Sequence, residues 1–154
     1  MILNDPWQFE ILITATIDYD EGWRMKLSNA TKLPPTEINL LNIEYTDYLG
    51  GIIHHFIKKN KIKTLDFVAS HGHTVFHQPE QGITLQIGNL SDLADRTAFP
   101  VVCDFRVQDL ELGGAGSSIG SRWRCSAVWA TRRLSQFRRF FQLKSARGRN
   151  PYCV

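Results

Sequence analysis

The chain has 154 residues, 43% hydrophobic and 21% charged, with a formal net charge of +3. That length suits one domain able to bury about 68–70% of its unfolded surface, and the balance excludes a disordered chain. No run approaches the roughly 20 apolar residues of a membrane-spanning helix, and Met1–Leu3 is too short for a signal peptide.

Trp7 to Ile17 mixes aromatic and β-branched residues and reads as a strand. Asp18 to Glu21 caps a short helix running to Ser28. Pro34 and Pro35 break the chain, and Thr36 is a fair N-cap for a long amphipathic helix. Its apolar stripe is Ile38, Leu41, Tyr45, Tyr48, Leu49, Ile52 and Phe56 at spacings of three and four. Lys58, Lys59 and Lys61 sit where positive charge complements the helix C-terminus, and His54 and His55 read as surface residues. Leu65 to Ser70 is a buried-strand run that delivers Ser-His-Gly-His at its end. A turn at Pro79 to Gly82 leads to Ile83–Ile87, the second arm of a hairpin. Ser91 or Asp92 starts a short helix ending at Thr97, and Pro100 opens the strand Val101 to Phe105. This order of elements predicts an α/β fold with a mixed sheet. Polar groups stand after several strands, where open α/β sheets bind ligands.

Three clusters could carry chemistry. Asp104 and Arg106 lie two apart, so on a strand they share one face; they suit sugar hydroxyls or phosphate, or form an internal ion pair. Asp109 is a third polar group in the same cleft or a cap. His71, His73 and His77 would point the same way on an unbroken strand, as a metal site requires. Gly72 and Pro79 interrupt it and no Cys, Asp or Glu completes a ligand set, so core or hydrogen-bonding roles outweigh a metal site. Gly113, Gly114 and Gly116 allow close backbone approach to a ligand or mark a turn. No G-x-x-x-x-G-K-[ST] or G-x-S-x-G is present, so neither a P-loop nor a nucleophile elbow is supported. Three cysteines without framework spacing fit a reducing compartment, and a cytoplasmic location is expected.

Together SHGHTVFHQP (Ser70 to Pro79), TLQIGN (Thr84 to Asn89) and VVCDFRVQDLELGG (Val101 to Gly114) resemble the anhydro-N-acetylmuramic acid kinase family. The family pattern is similar to SHGQTxxHxP, LQIGN and DFRxxDxxxGGQGAPLVP, in this order and spacing, with His73 replacing a commoner Gln. The resemblance implies part of an actin-like, hexokinase-like (ribonuclease H-like) ATPase lobe. It implies ATP and Mg2+ between two lobes and phosphorylation of 1,6-anhydro-N-acetylmuramic acid with opening of the anhydro ring, a step of cell-wall recycling. By the same resemblance His71, Gly72, Thr74, Gln86, Asp104, Arg106, Asp109, Gly113 and Gly114 are substrate-binding positions, and full-length members can dimerise. The family's phosphate turn, similar to MSGTSLDGxD, has no counterpart before Trp7. The segment similar to FDCGPGN that carries the catalytic aspartate is also missing, so no catalytic residue is assigned and the chain is expected to be inactive.

Past Gly114 the charge changes character. Residues 117–154 hold eight Arg, one Lys and no acid, whereas residues 1–116 hold nine basic and fifteen acidic side chains. A basic tail on an acidic body usually suggests a nucleic-acid arm, but another origin fits better. Codons available for Ala115 onward, read one base out of register, spell Gln-Gly-Ala-Pro-Leu-Val-Pro, the family's continuation. Codons for Ser135 to Leu143 likewise spell Ala-Asn-Leu-Gly-Gly-Phe-Ser-Asn, similar to the family's NLGGFxN. Residues 1–114 are therefore read as part of the kinase's N-terminal lobe. Residues 115–154 are read as an out-of-frame basic tail that is not a domain and does not pack. No nucleic-acid or membrane partner is expected. The alternatives are a kinase for another 1,6-anhydro sugar, or a non-catalytic sugar- or nucleic-acid-binding protein with a basic tail.

Overall fold

The computed structural model describes residues 11–111, 127–132 and 137–144. In chain order the elements are β1 (Thr16–Asp18), α1 (Glu21–Asn29), α2 (Pro35–Lys59), β2 (Phe67–Ala69), β3 (His73–Gln78), β4 (Ile83–Ile87), α3 (Asp92–Thr97), β5 (Val101–Val102), α4 (Phe105–Glu111), β6 (Ala127–Arg132) and β7 (Phe137–Lys144). Five strands form one mixed sheet in the order β1-β7-β6-β2-β5, and β3 pairs with β4 in a separate hairpin. β2 runs parallel to β5 and antiparallel to β6. The α/β expectation therefore holds.

Helix α1 starts where the acidic run ends. Asp20 is its N-cap, with a carboxylate oxygen accepting from the Trp23 amide at 2.8 Å. That bond satisfies an amide the helix itself leaves open. Asp20→Ala should therefore lower stability by about 1 kcal/mol, read as a shift in the urea midpoint with an unchanged slope.

Helix α2 follows the expected stripe, burying Ile38, Leu41, Tyr45, Leu49 and Phe56 together with Ile53. Full burial of such side chains contributes about 1.5–3 kcal/mol each. Its start differs from expectation: Pro34 is the N-cap and Pro35 the first helical residue, so Thr36 lies inside the helix. Proline at that position lacks only an amide hydrogen that would be orphaned anyway, and its fixed φ suits the first turn. Tyr45 anchors an aromatic nest beneath the hairpin. Its hydroxyl lies 2.6 Å from that of Tyr19, and its ring meets Trp23 edge-on at 5.5 Å and His73 at 5.9 Å. The Gly88 amide donates to Asn42 Oδ1 at 2.7 Å, tying the end of β4 to the same helix.

Three sequence expectations are corrected by the backbone. The first strand covers only Thr16–Asp18 among the described residues. The strand opened by Pro100 stops at Val102; Asp104 takes a positive φ of 57° and helix α4 begins at Phe105. Asp104 and Arg106 thus never share a strand face, because the chain turns between them. Lastly, segments 127–132 and 137–144, expected to stay unpacked, lie as β6 and β7 between β1 and β2. Ala127–Arg132 and Phe137–Lys144 are rich enough in aromatic and β-branched residues to pair as strands whatever their origin.

Candidate functional site

Three loops converge at the carboxyl ends of the parallel strands β2 and β5. Ser70, fully buried after β2, receives its place from its own amide, which donates to the Val102 carbonyl at 2.8 Å. Its hydroxyl donates to Asn89 Oδ1 at 3.2 Å and accepts from the Gly72 amide at 3.2 Å. Asn89 Nδ2 in turn donates to Asp104 Oδ1 at 2.9 Å. Ser70, Asn89 and Asp104 therefore chain together the loops after β2, β4 and β5. Gly72 adopts a φ of +66°, and a Cβ there would press on the Ile87 carbonyl and on the Asn89 side chain. Only glycine fits that turn without strain.

Beside this chain lies the polar face of the hairpin. Thr74 and Gln86 are directly opposed across β3 and β4, so both side chains stand on one face. Arg106, in the first turn of α4, donates from Nη1 to Thr74 Oγ1 at 3.4 Å. Gln86 Nε2 donates to Thr84 Oγ1 at 2.7 Å, and that hydroxyl lies 3.4 Å from His77 Nδ1. His71 stands 5.9 Å from the Phe105 ring. Two polar atoms in this cluster are buried without a hydrogen-bond partner: Gln86 Oε1 and Arg106 Nε.

The electrostatics follow from burial. The His71 imidazole is lowered to about 4, first by burial and then by the Arg106 charge and by His77, with the Gly72 carbonyl opposing. His73 is lowered to about 4 by burial, with His71 adding to it. Burial and Arg106 also lower His77, against Glu80. Burial pushes the Cys103 thiol up, with Asp104 adding to the shift, which makes this sulfur a poor nucleophile. At neutral pH the cluster thus presents neutral imidazoles around one guanidinium.

Of the sequence-predicted site residues, the structure gathers His71, Gly72, Thr74, Gln86, Asp104 and Arg106 around these two linked clusters. The backbone of Asp109 lies in α4, while its side chain, together with Gly113 and Gly114, lies outside the described residues. The three histidines divide: His73 faces the aromatic nest on α2, while His71 and His77 flank Arg106. Among the described residues no three His, Cys, Asp or Glu side chains gather to hold a metal ion, and no helix is long and apolar enough to cross a membrane. Asn89, the link between the three loops, was absent from the predicted set. It stands in the TLQIGN motif, but nothing in its spacing marks it as the joint.

These features define a mixed α/β protein with a polar cluster where parallel strands end, built on an amphipathic helix and a hairpin. The family model described as anhydro-N-acetylmuramic acid kinase matches residues 9–131. The chain belongs to that family. Relatives named anhydro-N-acetylmuramic acid kinase include one from Rhizobium johnstonii, 32% identical over 114 residues, covering 67% of this chain and 31% of the relative. One from Acinetobacter baylyi is 31% identical over 120 residues, covering 75% and 31%. One from Acidiphilium cryptum is 34% identical over 110 residues, covering 69% and 30%. The chain thus spans about a third of the length of the curated relatives it matches.

Proposed function

We propose that residues 1–114 are part of the N-terminal, sugar-side lobe of a kinase with an actin-like, hexokinase-like core. The whole enzyme transfers phosphate from ATP to 1,6-anhydro-N-acetylmuramic acid as the anhydro ring opens to N-acetylmuramic acid 6-phosphate. The observation that supports this most is the convergence of the family's three motifs into one hydrogen-bonded cluster through Ser70, Asn89 and Asp104. Beside it Thr74, Gln86 and Arg106 offer hydrogen-bond donors and acceptors to sugar hydroxyls. His71 and Gly72 shape the wall; Asp109, Gly113 and Gly114 extend it. Asp104 is given no catalytic role in this reading; its Oδ1 accepts from Asn89 at the joint of the loops.

Magnesium and ATP do not fit the described residues. Among the described residues the cluster around Arg106 offers no group of carboxylate oxygens of the kind magnesium prefers, and no described turn resembles a phosphate cradle. We therefore assign the chemistry of transfer to parts of the family other than the described residues. The chain by itself should bind the anhydro sugar without turning it over. Incubation with ATP, magnesium and the sugar, with product followed by mass spectrometry, should give no N-acetylmuramic acid 6-phosphate. Sustained turnover would show that the inactive-fragment reading is wrong.

We also read residues 115–154 as translated out of frame, on the strength of the arginine-rich, acid-free composition and the family motif recovered one base away. Sequencing the coding DNA through Gly113 tests this. Bases after Gly114 unable to spell Gln-Gly-Ala-Pro in any frame would overturn it. In either case the polypeptide is expected to act in the cytoplasm.

A further inference from the structure

Between α1 and α2 runs an apolar groove with an acidic rim, about 400 Å³ in volume. Met25, Leu33 and Leu40 form its floor, and Lys26, Glu37 and Glu44 stand along it. Met25 is 59% exposed and Leu40 62%, and Ile43, one turn along α2 from Leu40, is 55% exposed. Adjoining apolar side chains of this size, rimmed by charge, mark a contact surface; exposed residues scattered singly do not. The rim carries more negative than positive charge. Lys26 Nζ lies 2.5 Å from Glu44 Oε2 and 5.1 Å from the centre of the Trp23 ring. Glu37 is exposed and joins no ion pair among the described residues.

A complementary segment of the same chain leaves the sheet nearby. β7 runs parallel to β1 with Lys144 opposite Asp18, and α1 starts at Glu21. Residues 145–154, outside the described residues, therefore follow β7 from the end of the sheet at which α1 begins. Ten residues span up to about 33 Å when extended, whereas the nine residues of α1 rise only about 14 Å. The segment holds Arg147, Arg149 and Tyr152 and no acidic side chain.

We propose that residues 145–154 dock in this groove, with Arg147 and Arg149 on the Glu37 and Glu44 carboxylates and Tyr152 over the apolar floor. A guanidinium presents a planar fork to a carboxylate, while its stem and a tyrosine ring cover apolar surface. Tethering beside the groove gives the segment an effective concentration in the millimolar range, so a weak contact is enough to fill it. A second copy docked groove to groove would instead set the same carboxylates against each other across a two-fold axis. Charge, shape and reach drive the docking, whatever reading frame the segment came from. The cluster at the ends of β2 and β5 plays no part in it.

The test uses the full chain with 13C in its methionine methyls, of which there are two, Met1 and Met25; Met25→Leu assigns the groove signal. A nitroxide is attached at Cys153, with Cys103→Ser and Cys125→Ser removing the other thiols. At low ionic strength, where exposed charges are unscreened, the Met25 methyl should lose at least about half its intensity relative to the chemically reduced label. Glu37→Gln with Glu44→Gln should restore the signal, and so should about 1 M salt, at which screening acts within about 3 Å. A Met25 signal unaffected by the label at low salt overturns the proposal. Broadening that persists in the double variant and in high salt overturns it as well, because the carboxylates then play no part. Mixing 13C-labelled chain without nitroxide and nitroxide-labelled chain without 13C separates the remaining occupant. Broadening of equal size in that mixture assigns the groove to the segment of a second copy and overturns docking within one chain. Should the double variant fail to fold, the salt dependence of the unsubstituted groove decides.

Discussion

Gly72→Ala should lower the melting temperature by about 10 °C and abolish whatever sugar binding the chain has. The residue sits at φ +66°, and the added methyl would strike the Ile87 carbonyl and crowd Asn89 Oδ1 at 2.9 Å. Holding a non-glycine residue in the left-handed region costs about 1–2 kcal/mol. The backbone carbonyl cannot rotate away without disturbing the β3–β4 pairing, which adds strain of about 1–3 kcal/mol. Each kilocalorie shifts the midpoint of a domain this size by about 2–4 °C. The same movement pulls Asn89 from its bonds with Ser70 and Asp104, so binding should fail together with stability. Gly82 provides the control: it has the same φ of +66° but nothing within 4 Å of an added Cβ. Gly82→Ala should therefore pay only the conformational cost, and differential scanning calorimetry of the two variants separates clash from conformation. Equal losses in both would refute the packing argument.

Acid should unfold the chain well before its carboxylates are neutralised. His71 and His73 stand at about 4 in the folded protein, against about 6.5 for a histidine in an unfolded chain. Between those values the unfolded chain binds more protons, so stability rises with pH across the window. The contribution is complete above about pH 6.5 and is lost as pH falls toward 4. At 1.36 kcal/mol per unit, each imidazole accounts for up to about 2–3 kcal/mol between pH 7.5 and 4.5. Because His71 and His73 repel one another when charged, the two contributions are not additive, and about 3–5 kcal/mol for the pair is the expected scale. Urea titrations at the two pH values measure it. His73→Gln places a non-titrating amide in the same site and should remove about half of the acid slope. An unchanged slope in a His71→Asn, His73→Gln double variant would assign acid unfolding to other groups.

Several elements are legible in the sequence. The spacing of Ile38, Leu41, Tyr45, Tyr48, Leu49, Ile52 and Phe56 specifies one face of α2; five of these side chains are buried there, and Tyr48 and Ile52 are half-buried at its margin. The breaks at Pro79 to Gly82 separate β3 from β4, with Gly82 supplying the left-handed turn residue. Both signals are local, because an apolar period and a turn residue act over a few positions of the chain. The motifs also marked His71, Gly72, Thr74, Gln86, Asp104 and Arg106 as site positions, but not their pairings. Two residues apart on an imagined strand, Asp104 and Arg106 looked like partners. The left-handed turn at Asp104 sends one to Asn89 and the other to Thr74.

What the amino-acid order determined by itself is thus the amphipathic helix, the hairpin, the family and the set of polar residues at the strand ends. Only the tertiary structure decided that Asn89 is the joint between three loops, that His73 turns to the aromatic nest while His71 and His77 flank Arg106, and that Arg106 and Gln86 keep open hydrogen-bonding atoms. The physical reason is range. Periodicity and turn chemistry are satisfied within a few residues, whereas a buried polar group takes its partner from whichever loop the sheet brings beside it. For Ser70 and Asn89 that partner is 19 residues away along the chain, and for Arg106 and Thr74 it is 32.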